Sequence, residues 1–340
     1  MMIIKAILFA GVLLIVTSVQ ANSDSAQLAF QARDYQQAKN LFEKQLEKNK
    51  EDIVAHLFMA KIAVKNENLE LAEEHINQAE ELIENRKLKF VEIKIQAEIF
   101  YWFGTIMEMQ AEKASIFSMS GYAKKSLKGY LKAIELSSKN LEYRKGLINF
   151  YLEAPSLLGG DIDKAINHAQ IAFEQNPNFG YKMLINCYEK SDDTQSMLTS
   201  YKRAIEQYPL DAELLFMRGT YWKNERNYDK AVADYQLALT LSETDRIQKS
   251  AQLMSLYWIG RISGFEGKNL KRGIDAYQQV IDKSETLSDT FTPNIEWTQF
   301  RMAQLMKLNG QRKEADLIFT KLLNSTQRKD LKAEISSELN

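Results

Sequence analysis

The chain has one cysteine, four prolines and three histidines in 340 residues, and each scarcity excludes something. A single thiol, Cys187, cannot close an internal disulfide, so the folded state must be held by packing. Few prolines and only fourteen glycines leave too few turn signals for a sheet-rich fold. His56, His75 and His168 form no i,i+3 or i,i+4 pair with each other or with Cys187, so no single helix face offers zinc ligands. No G-x-S-x-G elbow and no G-x-x-x-x-G-K-[ST] loop occurs. Gly159-Gly160-Asp161 lacks the Lys-Ser or Lys-Thr of a phosphate cradle, and its acid would repel an anion. The sequence therefore assigns no catalytic residue, no metal ligand and no cofactor. Nor is there an excess of either charge: 44 basic and 45 acidic residues leave a formal −1, with no basic patch for nucleic acid.

What is present begins with a leader. MMIIKAILFAGVLLIVTSVQA places Lys5 before an apolar run, Ala6–Val16, and ends in small residues. This is the pattern of a secretory signal, with cleavage expected between Ala21 and Asn22. The run is shorter than the ~20 residues that a membrane span prefers, so an uncleaved anchor is the lesser alternative. An exported, periplasmic protein without a stable span after cleavage is expected.

Beyond the leader, hydrophobic residues at 45% suffice for a continuous core. A trio of Ala, a large residue four later and Ala three beyond recurs along the chain. Ala231, Tyr235 and Ala238 are matched 34 residues earlier by Met197, Tyr201 and Ala204. Ala38 and Phe42, Ala72 with Ile76 and Ala79, and Ala315 with Phe319 and Leu322 continue the series. Upstream of these stand small residues at a common offset: Ala26, Ala60, Gly104, Gly219, Gly260 and Ala303. A small side chain there lets two helices approach closely; filling the contact should cost about 1–3 kcal/mol.

Two helices per 34 residues with this pattern resemble the tetratricopeptide repeat, whose signature is W-x2-L-G-x2-Y, then A-x3-F, then Ala and a closing Pro. Gly219 and Trp222, followed by Ala231, Tyr235 and Ala238, match it best, and Pro177 and Pro209 stand at closing positions. The resemblance implies an all-α, right-handed α-solenoid of about eight helical hairpins over residues 22–326. A hinge at 284–295 and a C-terminal capping helix or tail at 327–340 complete the expected organisation. The third unit is about ten residues long in its middle, and five extra residues enlarge the turn of the fourth, APSLLGGD. There Pro155 should stop one helix, the glycines should supply positive φ and Asp161 or Asp163 should cap the next. The stretch YLEAPSLLGGDIDKA is also similar to a group of exported bacterial tetratricopeptide proteins with a Y-L-x-A-P…G-G turn in mid-array.

The resemblance implies a concave wall of first helices, free of core duties and able to bind. Counting from the small crossing residues, the positions facing it are Tyr101, Lys145, Asn149, Lys182, Asn186 and Lys190 in the first half. Phe216, Lys223, Asn224, Tyr257, Arg261, Trp297 and Phe300 continue it. KGLIN at 145–149 and KMLIN at 182–186 set Lys and Asn one helical turn apart in consecutive units. That pattern resembles half of the carboxylate clamp of some tetratricopeptide domains; Met217 stands where the other half would need a cation. Tyr257, Trp297 and Phe300 form a second candidate, an apolar groove. The function expected is a non-catalytic periplasmic scaffold that grips a protein or peptide segment of another envelope protein. The alternative is an accessory protein holding a small molecule or glycan in a pocket near Gly104–Gly121.

Overall fold

The computed structural model describes residues 25–86, 92–284 and 293–339. The leader, its Ala21–Asn22 junction and most of the expected hinge lie outside the described residues. Among the described residues every regular element is helical. They fall into two compact units, one ending at Thr194 and the other beginning at Gln195.

The first unit comprises α1 (25–31), α2 (Tyr35–Lys48), α3 (Ile53–Lys65), α4 (Leu69–Arg86), α5 (Ile93–Lys113), α6 (Ile116–Leu136), α7 (Leu141–Glu153), α8 (Ile162–Gln175) and α9 (Pro177–Lys190). The second comprises α10 (Thr194–Gln207), α11 (Ala212–Asn224), α12 (Tyr228–Leu239), α13 (Arg246–Glu266), α14 (Leu270–Ser284), α15 (Ile295–Leu308), α16 (Arg312–Ser325) and α17 (Lys329–Leu339). Successive helices pair as α1–α2, α3–α4, α5–α6 and α7–α8 in the first unit. In the second the pairs are α11–α12, α13–α14 and α15–α16. The architecture is thus an all-α array of helical hairpins.

Local chemistry explains why the chain turns where it does. In four hairpins one turn residue adopts a left-handed conformation: Arg33, Glu67, Arg226 and Gly310 at φ of 66°, 58°, 57° and 85°. Aspartate or asparagine then caps many of the following helices. Asp34, Asp52, Asp161, Asn176, Asp211, Asn227 and Asn294 each accept a hydrogen bond from a backbone N–H in the first turn. Such a cap is worth about 1 kcal/mol.

Hairpin packing repeats one aromatic module. In four hairpins, three residues before the crossing residue, the first helix carries Tyr101, Phe216, Tyr257 or Phe300; the second helix carries Tyr130, Tyr235, Tyr277 or Phe319. The ring pairs lie 5.9, 5.9, 5.8 and 5.6 Å apart. Glycine at the crossing makes room for the second ring. A Cβ on Gly219 or Gly260 would sit 2.6 Å from Tyr235 or Tyr277. In two copies the module also carries a threonine after the glycine. Thr105 and Thr220 donate to the carbonyls of Tyr101 and Phe216, and lie 3.3 and 3.4 Å from the hydroxyls of Tyr130 and Tyr235. Phe300, expected on the binding wall, is 1% exposed and lies in a core with Phe319, Leu322, Leu331 and Ile335. The last two belong to α17, which covers the face that a further hairpin would otherwise occupy. That placement corrects the sequence expectation.

The long third unit adds no loop. Its extra residues lengthen both α5 and α6 to 21 residues each, and only Ala114 and Ser115 separate them. In the fourth unit α7 runs to Glu153, a 3-10 turn covers Ser156–Leu158, and Asp161 caps α8 by accepting from the Lys164 N–H. The two glycines are needed for different reasons, against the expectation that both take positive φ. Gly159 alone does, at 108°; a Cβ on Gly160 would collide with the carbonyl oxygen of Ala154 at 1.7 Å.

Candidate functional site

In the first unit, α7 and α9 are packed neighbours. Tyr143, Leu147, Ile148 and Phe150 take one side of α7 into the core, as Met183, Ile185 and Cys187 do on α9. At the surface Lys145 and Asn149 are exposed, and Lys182 and Asn186 are half-exposed, as are Tyr181 and Leu184. Lys190 is exposed and pairs with Glu153 at 2.9 Å, joining the end of α9 to the end of α7. Tyr101 has a different role. Its ring stacks on Tyr143 at 4.8 Å, and burial pushes its phenol pKa up, so it belongs to the packing between α5 and α7.

In the second unit, Phe216 packs against Tyr235 and Asn224 stays exposed at the end of α11. The Lys223 ammonium sits over the Trp258 ring, 3.9 Å from its centroid; burial, and then the charge of Arg261, lowers its pKa. Cation–π contacts of this kind contribute about 0.5–2 kcal/mol. The Arg261 guanidinium lies 4.8 Å from the Phe265 ring and reaches the Tyr257 hydroxyl at 3.4 Å. Trp297 meets Phe300 edge-on at 5.5 Å, with the Arg301 guanidinium 5.5 Å from its ring. Tyr257 and Trp297 are half-buried, and the apolar groove expected with Phe300 is not formed, because Phe300 lies beneath the surface.

Sequence reasoning overlooked the cavity beside these residues. It has a volume of about 390 Å³ and is lined by Arg261, Arg301, Gln304, Lys307 and Glu338 over an apolar wall that includes Phe265. Arg261 and Arg301 are 40 residues apart and Gln304 and Lys307 one turn apart, a legible signal. The contribution of Glu338 was not legible, since it depends on where α17 packs.

A smaller cavity of about 140 Å³ lies in the first unit, close to the Gly104–Gly121 region. Glu108, Glu112 and Glu153 rim it, with Phe150, Pro155 and Leu158 among its apolar lining. Burial raises the Glu108 pKa, and the charges of Glu112 and Glu153 add to that against a hydrogen bond from Tyr130. The volume is below the roughly 300 Å³ at which small-molecule sites begin.

Two further clusters bury polar groups. His56 and His75, on α3 and α4, face each other with Nδ1 atoms 3.0 Å apart, and His56 Nε2 lies 2.9 Å from the Lys50 carbonyl. A carbonyl only accepts, so the neutral pair places a proton on His56 Nε2 and another on His75 Nδ1. Lys61 is buried beside Phe58, Trp102 and Phe30 and bonds Glu98 at 2.5 Å; burial, its largest influence, lowers the ammonium pKa. Cys187 is buried, and burial pushes its thiol up to about 12, which makes it a packing residue. Among the described residues no three His, Cys, Asp or Glu side chains are grouped to hold a metal, and no helix is long and apolar enough to cross a membrane.

Paired helices with small crossing residues, repeated along both units, define a helical-hairpin repeat protein. Models of the tetratricopeptide repeat match two stretches of the chain, residues 29–86 and 198–246. Arrays of this repeat are in general protein-interaction scaffolds that bind protein or peptide partners. No curated protein is significantly similar in sequence. Among solved structures, yeast Tom70 superposes with a TM-score of 0.58 at 17% identity, over 90% of this chain and 58% of that one. The chain thus spans little more than half the length of Tom70, and the likeness is one of fold. Pseudomonas aeruginosa PilF gives a TM-score of 0.46 at 15% identity, over 70% of this chain and 98% of its own. The Thermus thermophilus protein TTC0263 gives 0.43 at 18%, over 63% and 99%.

Proposed function

We propose that this protein is an exported, periplasmic, non-catalytic scaffold that holds a segment of another envelope protein against the exposed face of α7 and α9. One observation carries the reading: these neighbouring helices bury their apolar sides and leave Lys145, Asn149, Lys182 and Asn186 at the surface. Lysine supplies charge and asparagine an amide that can pair with a peptide backbone or a carboxylate. A face already held by its packing loses little entropy when a partner docks, and that favours binding. The export half rests on the leader, with its Lys5, apolar run and small residues before Asn22.

A photo-reactive residue at Asn186 in intact cells tests the reading. It should capture one envelope protein, and capture should be lost when Lys145→Glu and Lys182→Glu are combined. Expression in the periplasm without any adduct at Asn186 or Asn149 would refute it, as would a full-length protein found in the cytoplasm with its leader intact.

A further inference from the structure

The cavity in the second unit concentrates positive charge where packing does not require it. Arg261 rises from α13, and Arg301 and Lys307 from α15. Of the three cations, only Lys307 meets a carboxylate among the described residues. Its Nζ lies 3.0 Å from Glu338 Oε2 and 2.6 Å from the Glu338 carbonyl oxygen, while Gln304 Nε2 donates to Glu338 Oε1 at 2.8 Å. Burial alone would raise the Glu338 carboxyl, but the hydrogen bonds from Gln304 and Lys307 and the ammonium charge hold it below its ordinary value. The chain itself thus shows that this cavity accepts a carboxylate.

The two guanidiniums have aromatic rings as neighbours and, among the described residues, form no ion pair. Arg261 lies against Phe265 and Arg301 against Trp297. The Nε of Arg301 is buried without a hydrogen-bond partner. A buried donor left unpaired is costly, the more so on a charged group. Guanidinium presents a planar fork that matches a carboxylate with two parallel hydrogen bonds. At about 390 Å³ the cavity falls in the range of small-ligand sites, and Phe265 and Leu305 would cover an apolar body.

We propose that this cavity is a carboxylate-binding site, in which Arg261 and Arg301 take the acid group of a ligand and Glu338 is an internal carboxylate that already fills the Lys307 end. The site belongs to the second unit and does not depend on the scaffold reading. Its ligand is a compound with two carboxylates, or a peptide with two acidic side chains: one acid group for the arginines and one that displaces Glu338 from Lys307. The same chemistry has two sources, a free di- or tricarboxylic acid and an acidic peptide, and the experiment separates them.

Calorimetric titration of the full mature chain with citrate, succinate, acetate and a Glu-Asp hexapeptide tests it. Citrate or succinate should bind saturably, more tightly than acetate; a hexapeptide that binds more tightly than either acid identifies a peptide source. Arg261→Gln and Arg301→Gln should each weaken binding about 10–100-fold, the range for a charge-assisted bond. Glu338→Gln should tighten it, because it frees Lys307, and a gain of affinity cannot come from misfolding. Absence of saturable binding by all four probes in both the parent and Glu338→Gln would overturn the proposal. So would binding that neither arginine substitution changes.

Discussion

Gly121 and Gly129 lie on the same helix, α6, and the same substitution should act on them with opposite sign. Alanine in place of a helix-interior glycine gains about 1 kcal/mol from helix propensity. At Gly121 nothing lies within 4 Å of the new Cβ, so the gain stands alone. At Gly129 the new Cβ would lie 2.7 Å from the Gly104 nitrogen, 2.8 Å from its Cα and 2.8 Å from the Phe100 carbonyl oxygen. All three are backbone atoms of α5 and none can rotate away, so α5 and α6 must part. Overpacking costs about 1–3 kcal/mol, and rigid backbone on every side puts this site near the top of that range. The net for Gly129→Ala is a loss of about 2 kcal/mol, against a gain of about 1 for Gly121→Ala. In thermal unfolding followed by circular dichroism, each kcal/mol moves the midpoint by about 2–4 °C for a unit of this size. Gly129→Ala should therefore melt about 4–8 °C lower and Gly121→Ala about 2–4 °C higher. If both variants move the same way, the close approach of α5 and α6 is not as described and the reasoning fails.

Acid should destabilise the first unit through His75 and His168. Burial, and then His56, lowers the pKa of His75; burial, and then Arg144, lowers that of His168. The unfolded chain protonates these histidines near pH 6.5 while the folded chain still resists, so stability falls as pH drops through about 6.5. The raised pKa of Glu108 acts in the opposite sense as its carboxyl takes up a proton, and in the second unit the lowered pKa of Glu338 acts in the same sense. Urea midpoints from pH 8 to 5.5 should decline, less steeply in His168→Gln; a flat profile refutes the histidine account. At the other buried charge, Glu98→Gln should cost about 1–3 kcal/mol, because it leaves the Lys61 ammonium among aromatic rings without its anion. That range is below the usual figure for a broken buried pair, since the Glu98 side chain is 33% exposed. Adding Lys61→Met should restore most of the loss; a double variant as unstable as Glu98→Gln alone would contradict it.

What the residues decide by themselves is the hairpin and its repetition. Small residues at Gly104, Gly219, Gly260 and Ala303, set against Tyr130, Tyr235, Tyr277 and Phe319, carry the period, the all-helical class and the crossing points. These are local matters of side-chain size and helical spacing, and a linear pattern expresses them. The Lys-Asn pairs of α7 and α9 were legible for the same reason. Tertiary packing decided the remainder. Phe300 holds the same register as Tyr101 and Tyr257 yet is buried, because α17 lies over it, and no periodicity foretells where a terminal helix docks. The second glycine of the 154–163 turn answers to one carbonyl oxygen, that of Ala154, which only the folded loop brings near. His56 meets His75 across 19 residues, and Glu338 meets Lys307 across 31. Such meetings depend on the angle and register between helices, which arise from many contacts acting together and are encoded at no single position.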